Sequence, residues 1–237
     1  MSTTTKTYKI APLLAAVGLV LAGAANAQAL IDGSTYSSLV GSSAGTVNGV
    51  SFSAGGGNFD TKFVNGWGGL GVTGGASGSE IDLGQSITMS FAAQVIADFS
   101  VALLYNGPEF GDYREMAQVA VYNGLSLLGT YALTVGNDGS SPGAAWTGFG
   151  SVSNLSAPTS SGGAAWLVSG NPFGNLAATK LVFTAIGSNL CQSAGSCNNQ
   201  SDYVVSAVPA VPEPGTYALL AAGLGAIGFV ARRRRQR

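Results

Sequence analysis

Carboxylates in two short stretches of the chain are the residues best suited to chemistry. Glu109, Asp112 and Glu115 fall within seven residues, in a segment that also contains glycine and proline. Glu80 and Asp82 are two residues apart, so we expect them to share one face of a strand. Ca²⁺ takes six to eight oxygen ligands, and Glu80, Asp82, Glu109 and Asp112 are candidate ligands together with backbone carbonyls. The spacing lacks the D-x-D-x-D-G pattern of a calcium loop, so a solvated acidic loop is the alternative.

Few residues in this sequence are suited to catalysis. Two acids about 5–10 Å apart would fit glycoside hydrolysis, but the sequence gives no such distance. The chain contains no histidine, which excludes Ser-His-Asp and Cys-His catalysis and His-ligated zinc. Ser43 lies in a G-x-S-x-G match but has no histidine to activate it. We therefore predict no enzymatic activity and no cofactor, with Ca²⁺ as the one exception that the acids leave open.

Aromatic rings are a second set of candidate binding residues, because exposed rings stack on sugars. Trp67 lies in a glycine-rich segment and is the best candidate for an exposed stacking ring. Sandwich cores also bury tryptophan, so we expect at least two of the candidates to be buried. The candidates are Trp67, Trp146, Trp166, Tyr105, Tyr113 and Tyr122.

The elements that must position these side chains are short strands separated by turn residues. Asn123-Gly124 is the strongest hairpin signal. The pattern predicts an all-β protein with a single jelly-roll-like β-sandwich, and residues 28–47 are interpreted as a loose N-terminal arm. The predicted strands are 49–54, 87–93, 99–105, 117–122, 126–135, 146–152, 165–168, 180–186 and 203–208.

The N-terminal 27 residues have the pattern of a secretory signal peptide. Lys6 and Lys9 precede an apolar run over residues 10–25, and Ala25-Asn26-Ala27 is a small-x-small cleavage site. Cleavage after Ala29 is an alternative. The sequence therefore predicts export of the region that follows.

The C-terminal segment combines a short motif, an apolar run and a basic end. Pro212-Glu213-Pro214 precedes the apolar residues 217–231, and Arg232, Arg233, Arg234 and Arg235 follow. Arginines do not cross the membrane readily, so they would hold this end in the cytoplasm. The apolar run has 15 residues, against about 20 for a typical transmembrane helix. An ordinary tail anchor is the alternative to a cleavable sorting signal.

This C-terminal pattern resembles the PEP-CTERM domain, which the membrane protease-transpeptidase exosortase processes in Gram-negative bacteria that make exopolysaccharide. Segments 78–84, 107–112 and 171–175 are also similar to mature domains found with such tails. The resemblance implies three parts: a signal peptide over 1–27, an exported β-sandwich over 28–208 and a sorting tail with a hydrophobic helix over 209–237. It implies exosortase and the secretion machinery as partners, and membrane insertion through the tail before processing.

The body of the chain differs in net charge from the two terminal signals. After the signal peptide and up to Pro214, the chain contains three cations, Lys62, Arg114 and Lys180, and all 11 acids, for a net charge of −8. Such a surface repels phosphate backbones, so we predict no nucleic-acid partner. Cys191 and Cys197 are the only cysteines, and in an exported chain they are most simply a disulfide. Two free thiols or pairing with another chain remain alternatives.

Two functions are compatible with these features. The first is an exported protein of the cell surface or extracellular matrix, structural or adhesive, linked to exopolysaccharide or biofilm. The alternative is a carbohydrate-binding module assisted by calcium. The predicted route passes through an inner-membrane intermediate to the cell surface.

Overall fold

The computed structural model describes residues 30–105, 115–136, 143–156, 164–187, 201–209, 222–227 and 232. Asn26–Glu213 form one compact unit, and the two chain termini outside it form another. In the terminal unit, residues 222–227 are helical. None of the helices in these described ranges has the length and apolar character needed to cross a bilayer.

The described part of the body contains a short helix and thirteen strands. Helix α1 spans Gly33–Leu39. The strands are β1 (Ala44–Val47), β2 (Val50–Gly55), β3 (Phe59–Val64), β4 (Trp67–Val72), β5 (Ser86–Gln94), β6 (Asp98–Ala102), β7 (Met116–Asn123), β8 (Ser126–Val135), β9 (Ala144–Trp146), β10 (Ser151–Asn154), β11 (Ala165–Ser169), β12 (Ala178–Ala185) and β13 (Val204–Ala207).

The strands form two antiparallel sheets. The order is β1-β2-β5-β12-β7-β8-β9 in the seven-stranded sheet and β10-β11-β6-β13-β4-β3 in the six-stranded sheet. Strands β4 to β7 change sheet at every step, as do β11 to β13. Apolar residues of both sheets belong to one buried core, so the predicted all-β sandwich is confirmed at this level.

Alternation of side chains along the strands builds the core. Strand β7 alternates buried and half-buried positions along its length, as does most of β12. At the centre, Phe99 stacks on Phe173 with ring centroids 5.6 Å apart and meets Phe183 edge-on at 6.0 Å. Trp146 also packs on Phe99, at 5.2 Å. Aromatic pairs of this kind add to the stability that burial of their area provides.

One end of the sandwich is marked by two isolated bridges from the β4–β5 connection. Ile81 pairs with Tyr203, just before β13, and Leu83 pairs with Ala185, the last residue of β12. The start of β13 and the end of β12 therefore lie at the same end. We call this the loop end.

The opposite end holds the first and last described segments of the body together. Leu30 N–H donates to the carbonyl of Val208 at 2.7 Å, and Ile31 and Val208 form an antiparallel bridge. We call this pairing the clasp and this end the clasp end. Residues 28–47 are not the loose arm that the sequence suggested: from residue 30 they contribute the clasp, α1 and β1.

Tight turns close the hairpins of the clasp end. Asn48-Gly49 and Asn65-Gly66 connect β1 to β2 and β3 to β4, with positive φ at all four residues, as type I′ turns require. The predicted hairpin at Asn123-Gly124 is present, with Gly124 and Leu125 as its two loop residues. The sequence reading did not include β3 and β4, whose six-residue strands are rich in polar residues and glycine.

The prediction of one continuous strand over residues 146–152 was wrong. The chain leaves the seven-stranded sheet at Trp146 and enters the six-stranded sheet at Ser151. Between them, Gly150 adopts φ +80°, a conformation that side chains other than glycine rarely adopt. The chain therefore crosses from one sheet to the other within the segment that the sequence predicted as a single strand.

Candidate functional site

The loop end collects the long connections of the sandwich. The β4–β5 connection, residues 73–85, is described throughout. The residues that flank the remaining long connections also lie at this end, because they follow β6, β8, β10 and β12 where those strands finish. The pairs are 105 and 115, 136 and 143, 156 and 164, and 187 and 201. A binding site built on a sandwich is commonly formed by loops at one end.

Glu80 is the most clearly placed of the predicted ligands. Its side chain is 2 % exposed and forms an ion pair with Lys62 of β3. The Lys62 ammonium also donates to the carbonyl of Ser77 at 3.0 Å. A buried carboxylate needs a nearby cation or donors to offset its loss of water. Lys62 supplies this positive charge.

Asp82 lies close by but has different partners. Its carboxylate accepts hydrogen bonds from the hydroxyl and the backbone N–H of Ser77. Gly75 approaches so closely that a Cβ there would lie 1.8 Å from Asp82 Oδ2. Gln85 accepts from Asp82 N–H at 3.0 Å and donates to Thr73 at 2.9 Å. Asp82 therefore organises the connection in which it lies.

The prediction that Glu80 and Asp82 share the face of a strand was wrong. Both lie in the connection between β4 and β5, and Ile81 between them makes only a single bridge. The turn around Ser77 nevertheless joins them, because Ser77 contacts Lys62 through its carbonyl and Asp82 through its hydroxyl. Asp60 extends this network by accepting from Ser79 at 2.6 Å.

Two further acids are buried at the same end: Glu115, which the sequence placed in the acidic cluster but not among the candidate ligands, and Asp202, which the sequence did not single out. Glu115 and Asp202 are 1 % and 4 % exposed. Glu115 accepts from the backbone N–H of Tyr105, and the hydroxyl of Ser201 accepts from Met116 N–H at 3.0 Å. Their positions in the chain were the available signal: Glu115 directly precedes β7, and Asp202 directly precedes the bridge residue Tyr203.

The predicted calcium site stays a prediction. Glu109 and Asp112 lie outside the described residues. Among the residues that the structure describes, no group of three or more metal-binding side chains converges. The two described candidates are engaged with Lys62 and Ser77.

The aromatic candidates are mostly part of the packing. Trp166 is fully buried and donates to the carbonyl of Leu104 at 2.8 Å, and Trp146 donates to Pro172 at 3.1 Å. Trp67 is half-buried and packs, with Val64 and Tyr105, on a small cluster formed by Ala102, Leu103, Ala165 and Val204. Its stacking on a sugar is a prediction for a ring that is exposed only in part.

The outer face of the seven-stranded sheet has an unusual composition. Its strands, as the structure describes them, contain no acid and one charged residue, Lys180. Lys180 Nζ lies 3.9 Å from the ring centroid of Tyr122. Between the buried positions, hydroxyl side chains point outward and align in rows across neighbouring strands. We call this surface the hydroxyl face: Thr46, Ser51, Ser53, Ser86, Thr88, Ser90, Thr130 and Thr184, with Lys180 of β12 paired to Ser90.

Burial raises the pKa of two tyrosines, one near each end of the body. Partial burial, reinforced by the Asp32 carboxylate, raises the pKa of Tyr36 to about 12. The Tyr36 hydroxyl donates to the carbonyl of Ser206, beside the clasp. Complete burial raises the pKa of Tyr203 well above its usual value, and its hydroxyl donates to Thr184 at 3.1 Å. Burial also raises the pKa of Asp98.

The C-terminal region matches a known family model. Residues 210–235 match the PEP-CTERM protein-sorting motif. The tail is a PEP-CTERM sorting signal. This signal implies an exported protein that exosortase processes and sorts to the cell surface. No curated protein and no solved structure matches the chain significantly.

Most residues of the sorting signal lie outside the described part of the chain, including Pro212, Glu213, Pro214 and Arg233 to Arg235. Arg232 is described as helical and exposed. Cys191 and Cys197 also lie outside the described residues, so the disulfide stays a prediction.

Proposed function

We propose that this protein is a non-enzymatic component of the cell surface or extracellular matrix. The PEP-CTERM signal over residues 210–235 carries this proposal. In it, the tail inserts into the membrane, exosortase removes it, and the β-sandwich remains outside as a structural or adhesive unit associated with exopolysaccharide or biofilm.

The clasp supports this order of events. The buried core begins at Leu30 and ends at Val208. Both predicted signal-peptide cleavage sites precede Leu30, and the sorting motif follows Val208. Removing the two signals would therefore leave in place every core residue that the structure describes.

The strand order supports the finer fold prediction. Within the two sheets, β5-β12-β7-β8 lies opposite β4-β13-β6-β11. We infer that these eight strands form a jelly roll, the two-sheet arrangement that combines two Greek keys. Strands β1, β2 and β9 extend one sheet, and β3 and β10 extend the other.

Processing is tested on the intact chain in cells with and without an active exosortase. Mass spectrometry of the mature protein should show loss of Arg232 to Arg235 only when exosortase is active. Glu213→Ala should block the loss, because it changes the centre of the Pro-Glu-Pro motif. Thr216→Ala, three residues away and outside that motif, is the matched control and should be processed normally.

A mature protein that retains its arginines in the presence of active exosortase would contradict the processing step. Normal processing of the Glu213→Ala variant would instead show that processing by exosortase does not require Glu213. The two results separate failure of the route from failure of the residue assignment.

Carbohydrate binding is the second candidate, and the hydroxyl face favours it. Serine and threonine hydroxyls both donate and accept hydrogen bonds, as sugar hydroxyls do. The low charge of this face suits a neutral, extended polysaccharide better than a charged polymer. Calcium at the loop end would act separately from this face.

Glycan-array binding with and without a chelator tests this candidate. Binding of neutral glycans that persists at high salt and is lost in Thr88→Arg supports the hydroxyl face, because Thr88 lies in its middle row. The matched control is Thr73→Arg, in the β4–β5 connection. Loss of binding on chelation would point to calcium, and no binding in any condition would remove this candidate.

A further inference from the structure

The clasp end presents large apolar side chains to solvent. Leu125, at the tip of the β7–β8 hairpin, is 97 % exposed, and its neighbour Leu127 is 54 % exposed. Phe149 and Leu176 are 59 % and 48 % exposed. Exposed apolar residues that gather in one region of a soluble domain mark a surface for a membrane or a protein partner.

Hydrogen bonds place the Leu125 hairpin at the clasp end. Gly124 N–H donates to the Thr179 hydroxyl at 2.7 Å, and Thr179 is at the start of β12. Since β12 finishes at the loop end through the Leu83–Ala185 bridge, its start lies at the opposite end.

Phe149 and Leu176 belong to the same end through the segment that precedes β12. Phe149 N–H donates to the carbonyl of Pro172 at 3.0 Å. A Cβ on Gly174 would lie 3.3 Å from the Phe149 ring. Leu176 follows two residues later, just before β12 begins.

The sorting tail leaves the body from this end. Val208 is held in the clasp, and eight residues separate it from Tyr217, where the apolar run begins. The nine Cα-to-Cα steps from Val208 to Tyr217 span at most about 30 Å. The linker is therefore short enough to keep a membrane that holds the tail close to the exposed apolar side chains of the clasp end.

Acidic residues are concentrated at the other end. Of the seven acids that the structure describes, Asp32 and Asp98 lie towards the clasp end, where β6 starts. The remaining five lie towards the loop end: Asp60, Glu80, Asp82, Glu115 and Asp202. Repulsion between this end and anionic headgroups would favour contact through the clasp end.

We propose that the clasp end docks on the lipid bilayer while the tail is inserted, with Leu125 and its apolar neighbours in contact with the membrane surface. The inference rests on the proposed insertion of the tail. Docking would hold the body in one orientation, with the loop end directed away from the membrane and the linker before the apolar run close to its surface.

The test uses the full chain in vesicles of phosphatidylcholine and phosphatidylglycerol that include brominated phosphatidylcholine. Leu125→Trp and Leu176→Trp report contact at the clasp end. Leu155→Trp is the matched control, since Leu155 is 39 % exposed beside Ala165 at the loop end. Flotation of the vesicles is measured in parallel.

Docking predicts that the Leu125→Trp and Leu176→Trp proteins lose more fluorescence to the brominated lipid than the wild type does, and that Leu155→Trp does not. If flotation shows that the tail is inserted, equal quenching in all three variants would overturn docking. Quenching that does not exceed that of the wild type in any variant would overturn docking as well. A chain that does not float with the vesicles would refute tail insertion, and docking with it.

Discussion

Ile31 and Val208 form an antiparallel bridge in which each backbone N–H donates to the other residue's carbonyl at 3.2 Å. Both side chains are fully buried. The bridge joins the first and last segments of the body, so the sandwich is closed at the points where the two signals would be removed.

The clasp should contribute substantially to the stability of the mature body. Ile31→Ala removes a fully buried side chain and should lower the free energy of unfolding by about 2–5 kcal/mol. Denaturant unfolding of the processed protein measures this loss. Val40→Ala, at a position 46 % exposed, is the control and should change stability little; equal effects of the two variants would refute a special role for the clasp.

The Lys62–Glu80 ion pair should stabilise the loop end. Lys62→Met leaves the buried Glu80 carboxylate without this cation, and should cost about 1–3 kcal/mol because Lys62 itself remains partly in water. The double variant Lys62→Met, Glu80→Gln should recover part of the loss. Lys180→Met removes a lysine from the hydroxyl face and should have a smaller effect on the same unfolding curves.

Alkaline pH should weaken the body through Tyr36. Its pKa is raised from 10.0 in the unfolded chain to about 12 in the folded protein. The protonated phenol is therefore favoured by folding, and this contribution is fully present below pH 10 and is lost as the pH rises towards 12. The expected loss is about 1–2 kcal/mol, since the side chain remains partly exposed.

Unfolding curves at neutral and alkaline pH measure that loss. Tyr36→Phe should reduce the decline without abolishing it, because the buried Tyr203 titrates in the same direction. An unchanged pH dependence in Tyr36→Phe would show that Tyr36 is not a source of the effect.

Gly71 should tolerate no side chain. A Cβ there would lie 2.0 Å from the carbonyl of Ser79, where the β4–β5 connection crosses β4. Gly71→Ala should destabilise the protein by about 1–3 kcal/mol through overpacking. Gly33→Ala is the matched control, because nothing lies within 4 Å of a Cβ at Gly33; thermal unfolding compares the two.

Much of the strand content was predictable because side-chain alternation is a local property. Strand β8 matched its predicted bounds, and β5 and β7 differed by one residue at each end. The β3–β4 hairpin was missed because Gly68, Gly69 and Gly71 remove the alternation that marks a strand. The Asn65-Gly66 turn was the available signal for it, and Asn48-Gly49 was the equivalent signal for β1 and β2.

The candidate site was less predictable because it depends on contacts between distant parts of the chain. Glu80 was a reasonable choice from its neighbour Asp82, but its partner Lys62 is 18 residues away. Glu115 and Asp202 are separated by the six strands β7 to β12, and only the sheet order brings their segments to one end.

The sequence by itself determined the destination of this protein. The sorting signal is read as a linear pattern, so its motif, apolar run and arginines carry their meaning without a fold. Tertiary structure decided which residues meet: it paired Ile31 with Val208, buried Glu80 against Lys62, and separated an acidic loop end from an apolar clasp end. These relationships arise because antiparallel pairing between distant strands sets their neighbours, and no local pattern in the chain encodes that order.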